Sequence, residues 1–263
     1  MTGCLENTLL AVRNLSADFP GRTDVLDRIS FSLHKGEVLG IIGESGSGKS
    51  VLARTLLRLE APARITAGSI LLDGQDVAGK SQREMRAIRG RKIALAVQDP
   101  RSAMDPVFRM ESQLLEVMQA AGAGRQKKSM QQDEIYGRLS EVGISSPRER
   151  CCQYPHQWSR GMLQRAQLVM LFSTNAQVLI LDEVTSALDP TVTLEILDLI
   201  RRLQQERKAG IILITHDTAV VRELCDRAAV MQQGRMVESG PVTEVLASPT
   251  HPYTQELVAK AGC

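Results

Sequence analysis

The stretch GESGSGKS, which runs from Gly43 to Ser50, has the residue types and spacing of a loop that binds phosphate groups. It follows the apolar run VLGII and precedes SVLARTLLRL, whose apolar residues recur at helical spacing. Glycines let backbone amides curl round phosphate oxygens, and the positive end of the following helix would face the anion. The flanking strand and helix disfavour the alternative, a glycine–serine turn that arose by chance. The nucleotide-binding residues predicted here are Gly43, Glu44, Ser45, Gly46, Ser47, Gly48, Lys49 and Ser50.

The chemistry of this loop depends on its last two residues. Lys49 would reach the β- and γ-phosphates, and the Ser50 hydroxyl would bind Mg²⁺. Two neighbouring carboxylates, Asp182 and Glu183, end the apolar run VLILDE. We predict that Asp182 holds Mg²⁺ through water, whereas Glu183 polarises the water that attacks the phosphate. Alone, the two acids would fit better as the end of a strand followed by a helix cap, but a phosphate loop in the same chain favours hydrolysis.

Three more residues at predicted strand ends have both a functional and an ordinary interpretation. Gln98, after IALAV, could bind Mg²⁺ and the attacking water, or simply end a strand. His216, after GIILIT, could contact the γ-phosphate and link Glu183 to the water, or be an ordinary hydrogen-bonded residue. Phe19 could stack on an adenine or pack in the core. Glu183, His216 and Gln98 are the predicted catalytic residues, and Mg²⁺ would be held by Ser50, Gln98 and Asp182.

The elements that must position these residues alternate between strands and helices. Apolar runs predict strands over residues 9–19, 38–42, 93–97, 178–181 and 210–215, and residues 25–37 are interpreted as a pair of strands. Helical periodicity covers residues 50–59, 111–122, 133–144 and 191–206, with a polar connector over 122–132. This order predicts an α/β fold with a parallel-sheet core and an inserted helical subdomain. Within one domain, we place the core at 1–98 and 166–240, the helical subdomain at about 99–165 and a C-terminal tail at 241–263.

The composition argues against a nucleic-acid-binding protein and against a protein that spans a membrane. A net charge of +2 and an aromatic content of 3% give neither the basic field nor the stacking surface expected of a nucleic-acid-binding protein. No uninterrupted apolar run approaches the length needed to span a bilayer, and we interpret the start of the chain as a plain cytosolic N-terminus. The 5 cysteines have no metal-binding spacing, and we expect reduced thiols.

Taken together, these motifs resemble the ATP-binding subunits of ABC transporters, and the resemblance covers nearly the whole chain. The phosphate loop, Gln98, VLILDE, SALD and His216 occur in that family's order, and SRGMLQR stands at the place of the family signature LSGGQ. The resemblance implies a P-loop NTPase (RecA-like) core with an N-terminal antiparallel β subdomain and an inserted α-helical subdomain. It also implies ATP and Mg²⁺ as cofactors. A small-molecule kinase would lack both SALD and the signature.

Such subunits form head-to-tail dimers, in which the signature of one subunit completes the ATP site of the other. The resemblance therefore directs Ser159, Arg160, Gly161 and Met162 toward a partner's ATP and places Ser186 and Asp189 of SALD at the dimer seam. The implied partners are two membrane permease subunits, a second and non-identical ATPase subunit, and an extracytoplasmic solute-binding protein, without nucleic acid. The chain would lie peripherally on the cytoplasmic face of the bacterial inner membrane.

The segments VQDPRSAMDP and HPYTQELV resemble a subgroup of importers for peptides, opines and nickel. No cysteine-rich extension follows HPYT, and we expect one of the shorter members, which import nickel or metallophores. The signature departs from the family pattern, because Trp158 replaces a leucine and Arg160 replaces a glycine. Val184 replaces the proline of DEPT, with a minor effect expected. A regulatory ATPase subunit or a soluble, non-transport ABC ATPase remains the alternative.

Overall fold

The computed structural model describes residues 7–19, 21–59, 64–121, 127–185 and 190–261. The strands are β1 (Thr8–Phe19), β2 (Arg22–His34), β3 (Val38–Ile42), β4 (Arg64–Leu72), β5 (Gln75–Asp76), β6 (Ile93–Ala96), β7 (Val178–Asp182), β8 (Gly210–Thr215), β9 (Arg227–Gln232) and β10 (Arg235–Pro241). The helices are α1 (Lys49–Leu56), α2 (Gln82–Arg86), α3 (Met110–Ala120), α4 (Lys128–Glu141), α5 (Pro147–Cys151), α6 (Arg160–Ser173), α7 (Pro190–Arg207), α8 (Thr218–Leu224), α9 (Val242–Ala247) and α10 (Pro252–Ala261). A short 3₁₀ helix spans Pro155–Gln157.

A six-stranded sheet in the order β10-β9-β3-β8-β7-β6 forms the centre of the fold. Strands β9, β3, β8, β7 and β6 run parallel, and β10 pairs antiparallel with β9 at one edge. The predicted parallel α/β core is therefore confirmed. Since the carboxyl ends of parallel strands meet at one edge, the segments that follow β3, β6, β7 and β8 converge there.

Strand β7 shows why the core strands are apolar along their whole length. Leu179 and Leu181 pack into a cluster on the helical side of the sheet, whereas Val178 and Ile180 pack into a second cluster on its other face. Successive side chains of a strand point to opposite faces, so a strand covered on both sides has no polar position. The run VLILD is buried at every residue and carries Asp182 into the interior at its end.

A second sheet, in the order β2-β1-β4-β5, is antiparallel and packs over the phosphate-loop side of the core. The antiparallel β subdomain implied by the family resemblance is confirmed. The interpretation of residues 25–37 as a pair of strands is wrong, because they belong to the single strand β2 and the turn after it. No turn interrupts β2 before Gly36, whose φ of +75° suits the reversal into β3.

Helices α3, α4, α5 and α6 form the inserted helical region. The prediction of a polar connector through residue 132 is wrong in part, because α4 begins at Lys128. Its first turns are polar and mostly exposed, and its buried side, formed by Gln131, Ile135 and Leu139, becomes apolar only later. Because the first turns of α4 are polar, the sequence shows no helical periodicity of apolar residues there. Helix α6 crosses the predicted boundary between residues 165 and 166, so the proposed helical region and core share one helix.

The segment after residue 240 is structured by packing against the core. Val242, Val245 and Leu246 of α9 and Tyr253 and Leu257 of α10 are buried in a cluster with side chains of β9 and α8. Among the described residues, no helix is both long and apolar enough to cross a membrane. The thiols of Cys151, Cys152 and Cys225 are free, whereas Cys4 and Cys263 lie outside the described residues.

Candidate functional site

A cavity of about 660 Å³ opens over the loop that connects β3 to α1. Its walls combine that loop with Gln98, Glu183 and His216, which follow β6, β7 and β8. The convergence of strand ends therefore brings together residues that are far apart in the sequence. The lining residues are Val25, Glu44, Ser45, Gly46, Gly48, Lys49, Ser50, Val51, Gln98, Glu183, His216, Leu257 and Lys260.

Two glycines of the loop have conformations or surroundings that a side chain would not tolerate. A Cβ atom on Gly43 would lie 2.2 Å from the Met231 carbonyl oxygen. Gly48, with φ of +104°, occupies the position before the first residue of α1, and a Cβ there would lie 2.9 Å from the Met231 methyl carbon. The loop thus passes close to β9 and turns directly into the helix, which leaves its amides at the positive end of α1.

Lys49 is buried, and its ammonium group is held by the loop itself. Nζ donates to the carbonyl oxygens of Gly43 at 2.7 Å and Glu44 at 2.9 Å, and to Ser47 Oγ at 3.3 Å. Burial lowers the pKa of Lys49, while the nearby negative charges of Glu183 and Asp182 act in the opposite direction. A partly desolvated cation beside a cradle of amides is well suited to a phosphate group.

Ser50 and Asp182, two of the three residues predicted to hold Mg²⁺, are in direct contact. Ser50 Oγ donates to Asp182 Oδ1 at 3.1 Å. Burial raises the pKa of Asp182, the Ser50 hydrogen bond lowers it, and the charge of Glu183 raises it further. Mg²⁺ prefers hard oxygen ligands, and a hydroxyl beside a desolvated carboxylate fits that preference.

Glu183 occupies an unusual backbone conformation, with φ of +50°. Its N–H donates to the Ile214 carbonyl oxygen at 2.9 Å, which continues the pairing of β7 with β8 for one residue beyond β7. A non-glycine residue in this left-handed region carries backbone strain. The conformation aims the carboxylate differently from that of Asp182, as expected from the sequence, and puts it at the cavity wall.

Both oxygens of the Glu183 carboxylate have a polar neighbour. Gln98 Nε2 donates to Glu183 Oε2 at 2.6 Å, and His216 Nδ1 lies 3.4 Å from Glu183 Oε1. The Glu183 side chain is 15% exposed, whereas that of His216 is 60% exposed. The structure therefore brings the three predicted catalytic residues into one cluster, in which the histidine side chain is more exposed to solvent than that of Glu183. In this arrangement the Gln98 amide contacts Glu183.

The signature residues lie away from this cavity and begin a different helix. Ser159 caps α6 and accepts a hydrogen bond from the Met162 N–H at 3.2 Å. Ser159 and Arg160 are exposed, and the space beside Gly161 is open. None of Ser159, Arg160, Gly161 and Met162 is among the described residues that line the cavity. A nucleotide bound by Lys49 would therefore not touch this chain's own signature.

Trp158 has a structural role that the sequence did not reveal. Its side chain is 2% exposed within the core of the helical region, and its indole N–H donates to the Arg150 carbonyl oxygen at 3.1 Å. The indole thus fills a buried space and pairs its polar atom, as a buried tryptophan requires. Val184 is also fully buried in this core. Trp158 and Val184 therefore differ from Arg160, which faces solvent.

Two predictions for the site have no support from these contacts. Phe19 is half-buried at the end of β1, opposite Arg22, and the described lining of the cavity contains Val25 but not Phe19. The stacking of Phe19 on adenine stays a prediction. Ser186 and Asp189 lie outside the described residues, so their placement at a dimer seam also stays a prediction.

The C-terminal helix adds residues that sequence reasoning missed. Leu257 and Lys260 of α10 line the cavity. Lys260 Nζ lies 2.8 Å from Glu44 Oε1, and the Glu44 N–H donates to the Tyr253 hydroxyl at 2.9 Å. The proline at the start of α10 and the helical spacing of Tyr253 and Leu257 were the available signals for a packed helix.

Comparison with known families and proteins agrees with this geometry. The sequence model of the family described as "ABC transporter" matches residues 26–186. The chain is similar to the dipeptide transport ATP-binding protein DppD of Bacillus subtilis, with 40% identity over 95% of this chain and 76% of that protein. It is 40% identical to the uncharacterized ABC transporter ATP-binding protein YejF of Escherichia coli over 97% of this chain, and it spans about half, 49%, of that protein.

The fold also matches solved structures. The structure of cbiO1 from Clostridium perfringens, described as part of the ABC transporter complex cbiONQ, has a TM-score of 0.75 and 27% identity with this chain. The similarity covers 98% of this chain and 95% of cbiO1. The two sheets and the helical insertion described above are therefore shared with a cassette of this kind.

Proposed function

Because the chain belongs to the ABC transporter family as an ATP-binding subunit with ATPase activity, we propose that it powers a peptide importer. Relatives named for dipeptide and oligopeptide transport support peptides as the substrate class. These names favour peptides over the nickel or metallophore substrates that the sequence led us to expect. Selectivity among peptides would belong to the solute-binding protein and the permease.

The observation that carries this proposal is the arrangement around Glu183. Its carboxylate stands at the wall of the phosphate-loop cavity, with Gln98 at 2.6 Å and His216 at 3.4 Å. In the proposed mechanism, Glu183 accepts a hydrogen bond from the attacking water and takes up its proton as the water oxygen bonds to the γ-phosphorus. The bond from the γ-phosphorus to the β-phosphate oxygen breaks, and ADP leaves. Gln98 holds one carboxylate oxygen, which leaves the other to interact with the water and with His216.

The rest of the cavity supplies binding and charge neutralisation. Lys49 would exchange its bonds to loop carbonyls for bonds to the β- and γ-phosphates. Ser50 and Asp182 would hold Mg²⁺, which neutralises charge on the transferred phosphoryl group. Backbone amides at the start of α1 would hold the remaining phosphate oxygens.

The position of the signature supports a dimer as the working form. The cavity is open, and Ser159 to Met162 begin a helix that does not line it. In a head-to-tail dimer, each α6 N-terminus would cover the ATP bound by the partner subunit. ATP would favour the closed dimer because its negative charge is fully compensated only when both subunits contact it.

Arg160 makes such a dimer asymmetric in this proposal. The guanidinium stands where a glycine would let backbone approach the γ-phosphate, so the partner's ATP site is weakened while this chain's own site stays complete. A non-identical partner with an unmodified signature accommodates this arrangement. To test this asymmetry, the ATPase activity of the assembled complex is measured in two variants. One carries Glu183→Gln in this chain, and the other carries the corresponding substitution in the partner ATPase subunit. Equal losses from the two changes would contradict the asymmetry.

Contact with the membrane would be made beside Gln98. The loop that follows Gln98 exposes two large apolar side chains, Val107 at 70% and Phe108 at 55%. We expect a helix of the permease to bind in this region, so that movement of Gln98 is coupled to the transmembrane subunits. The chain would then work as a peripheral protein on the cytoplasmic face of the membrane, with two permease subunits and a solute-binding protein.

The proposal is tested by isolating the chain from its native membrane. We expect two permeases and a second ATPase subunit to co-purify, and a peptide-loaded binding protein to raise the ATPase rate of the reconstituted complex. The isolated chain, shown to be monomeric, should hydrolyse ATP far more slowly. An equal rate for the monomer and the complex would refute an ATP site that is completed by the partner subunit. If the chain is isolated without any membrane protein, the soluble ATPase alternative is favoured.

A further inference from the structure

Helix α10 makes two contacts with the second residue of the phosphate loop. The Glu44 carboxylate pairs with Lys260 through Oε1 and Nζ at 2.8 Å. The Glu44 N–H donates to the Tyr253 hydroxyl at 2.9 Å. Side chain and backbone of one loop residue are therefore both tied to a helix more than 200 positions later in the sequence.

Glu44 presents an electrostatic problem for a loop that binds a polyanion. Its side chain lines the cavity and is 53% exposed, so it is accessible to a ligand there. A carboxylate beside a triphosphate repels it, because two like charges a few ångströms apart interact unfavourably even in water. Lys49 lies in the same loop, but its Nζ bonds the loop carbonyls and Ser47 rather than the Glu44 carboxylate.

Lys260 is placed to remove this repulsion. Its Nζ is the cation at hydrogen-bond distance from the Glu44 carboxylate within the described residues, and its side chain lines the same cavity. The hydrogen bond to Glu44 raises the pKa of Lys260, and its ammonium group is positively charged at neutral pH. We propose that Lys260 and Tyr253 of α10 are positioning residues of the nucleotide site, with Lys260 neutralising Glu44 and Tyr253 fixing the loop backbone.

The anchoring of α10 makes this role structurally reasonable. At the start of the helix, Glu238 of β10 accepts hydrogen bonds from the Thr250 N–H at 2.8 Å and the His251 N–H at 3.1 Å. Tyr253 is 8% exposed, and Leu257 is packed in the same cluster. Lys260 therefore approaches Glu44 from a helix whose first two turns are held by the core.

The inference rests on the proposed nucleotide site. One set of titrations distinguishes failure of the role of Lys260 from failure of the nucleotide site itself. The purified chain is titrated by calorimetry with Mg²⁺ and either a non-hydrolysable ATP analogue or ADP. We expect Lys260→Met to raise the Kd of the ATP analogue about threefold to tenfold, the range of a screened single-charge interaction. The Kd of ADP should rise less, because ADP carries less negative charge. Lys260→Arg should restore wild-type affinity.

The decisive comparison is made in a background that lacks the Glu44 charge. In Glu44→Gln, the further change Lys260→Met should leave the Kd unchanged, because no carboxylate remains to be neutralised. A Lys260→Met effect that persists there would overturn the proposal and indicate direct contact with the nucleotide. Lys92→Met, which breaks the Lys92–Asp73 pair of 2.9 Å away from the cavity, is the matched control and should bind like the wild type.

Two further outcomes distinguish the possible failures. A wild-type chain that binds neither nucleotide would refute the proposed nucleotide site itself. A wild-type chain that binds both, with Lys260→Met binding them equally well, would refute only the role of Lys260. Tyr253→Phe removes the hydroxyl that accepts the Glu44 N–H, and it should weaken both nucleotides by a similar factor, since it changes loop geometry rather than charge.

Discussion

Gln98 and Glu183 form a hydrogen bond of 2.6 Å between amide nitrogen and carboxylate oxygen, across the carboxyl ends of two adjacent parallel strands. The bond joins the residue expected to sense the permease to the residue expected to activate water. In the proposed mechanism, movement of the segment after β6 would be transmitted to the Glu183 carboxylate through this hydrogen bond.

The first prediction concerns Glu183. Glu183→Gln should lower the ATPase rate of the assembled transporter about 10²–10⁴-fold, because the amide cannot withdraw a proton from water. Binding of ATP should be retained, since Lys49 and Ser50 are unchanged. The measurement is steady-state phosphate release beside a nucleotide titration. A variant that loses binding and hydrolysis to the same extent would contradict a purely catalytic role for this residue.

The second prediction concerns Gln98. Gln98→Ala removes a hydrogen bond to the charged Glu183 carboxylate, so we expect a loss of about 10-fold to 100-fold in ATP-driven transport. Nucleotide affinity should change much less. Uptake into reconstituted vesicles and the Kd of an ATP analogue are compared in the same preparation. A proportional loss of both would argue against coupling through this bond.

The third prediction separates Trp158 from the exposed signature residues. Trp158→Leu, which restores the residue usual in the family, should lower the free energy of unfolding by about 2 kcal/mol, because it leaves a cavity and removes the indole hydrogen bond to the Arg150 carbonyl. Urea unfolding provides the measurement. Arg160→Leu is the control. Because Arg160 is exposed, the free energy of unfolding of this variant should stay within about 0.5 kcal/mol of the wild-type value. Equal stability of both variants would refute the buried role of Trp158.

The fourth prediction concerns pH and the anchor of α10. Burial opposes the charge of Glu238, but hydrogen bonds from Thr250 and His251 more than offset it and lower the pKa to about 2. A carboxyl group with a depressed pKa in the folded state stabilises the fold above its unfolded pKa and loses that contribution as the pH falls. The stabilisation should therefore be present at neutral pH and disappear between about 4.5 and 2.

Substitution of Glu238 makes this pH dependence measurable. Glu238→Gln should lower the melting temperature at pH 7, and its difference from the wild type should shrink as the pH is reduced through that window. Glu244→Gln, at an exposed carboxylate of α9, is the matched control and should show no comparable loss. A Glu238→Gln deficit that stays constant down to pH 3 would mean that the side chain acts by packing rather than by charge.

Local sequence was enough to select the strand-end residues that meet at the cavity, because each belongs to a short motif. The phosphate loop, the pair Asp182 and Glu183, and His216 all depend on a strand that is recognisable from its continuous apolar run. The parallel sheet then brings them together by its geometry alone. Contact of Gln98 with Glu183 follows from the pairing of β6 with β7, which sequence spacing does not specify.

Other features could not be predicted because their cause lies in distant packing. Trp158 looks like a change in a functional motif, but its neighbours in the folded chain make it a core residue. The polar first turns of α4 gave no helical period, and β2 runs on where its mixed pattern suggested two strands. The apolar side chains of helix α10 are buried against β9 and α8, and this surface exists only in the folded chain.

The bond between Tyr253 and Glu44 has a consequence for biosynthesis. Its partners are 209 positions apart, so at a synthesis rate of about 5–20 residues per second roughly 10–40 s separate their translation. During that interval the phosphate loop emerges from the ribosome without the helix that restrains it. A polypeptide terminated before residue 253 would carry every catalytic side chain and still lack the tether of its loop.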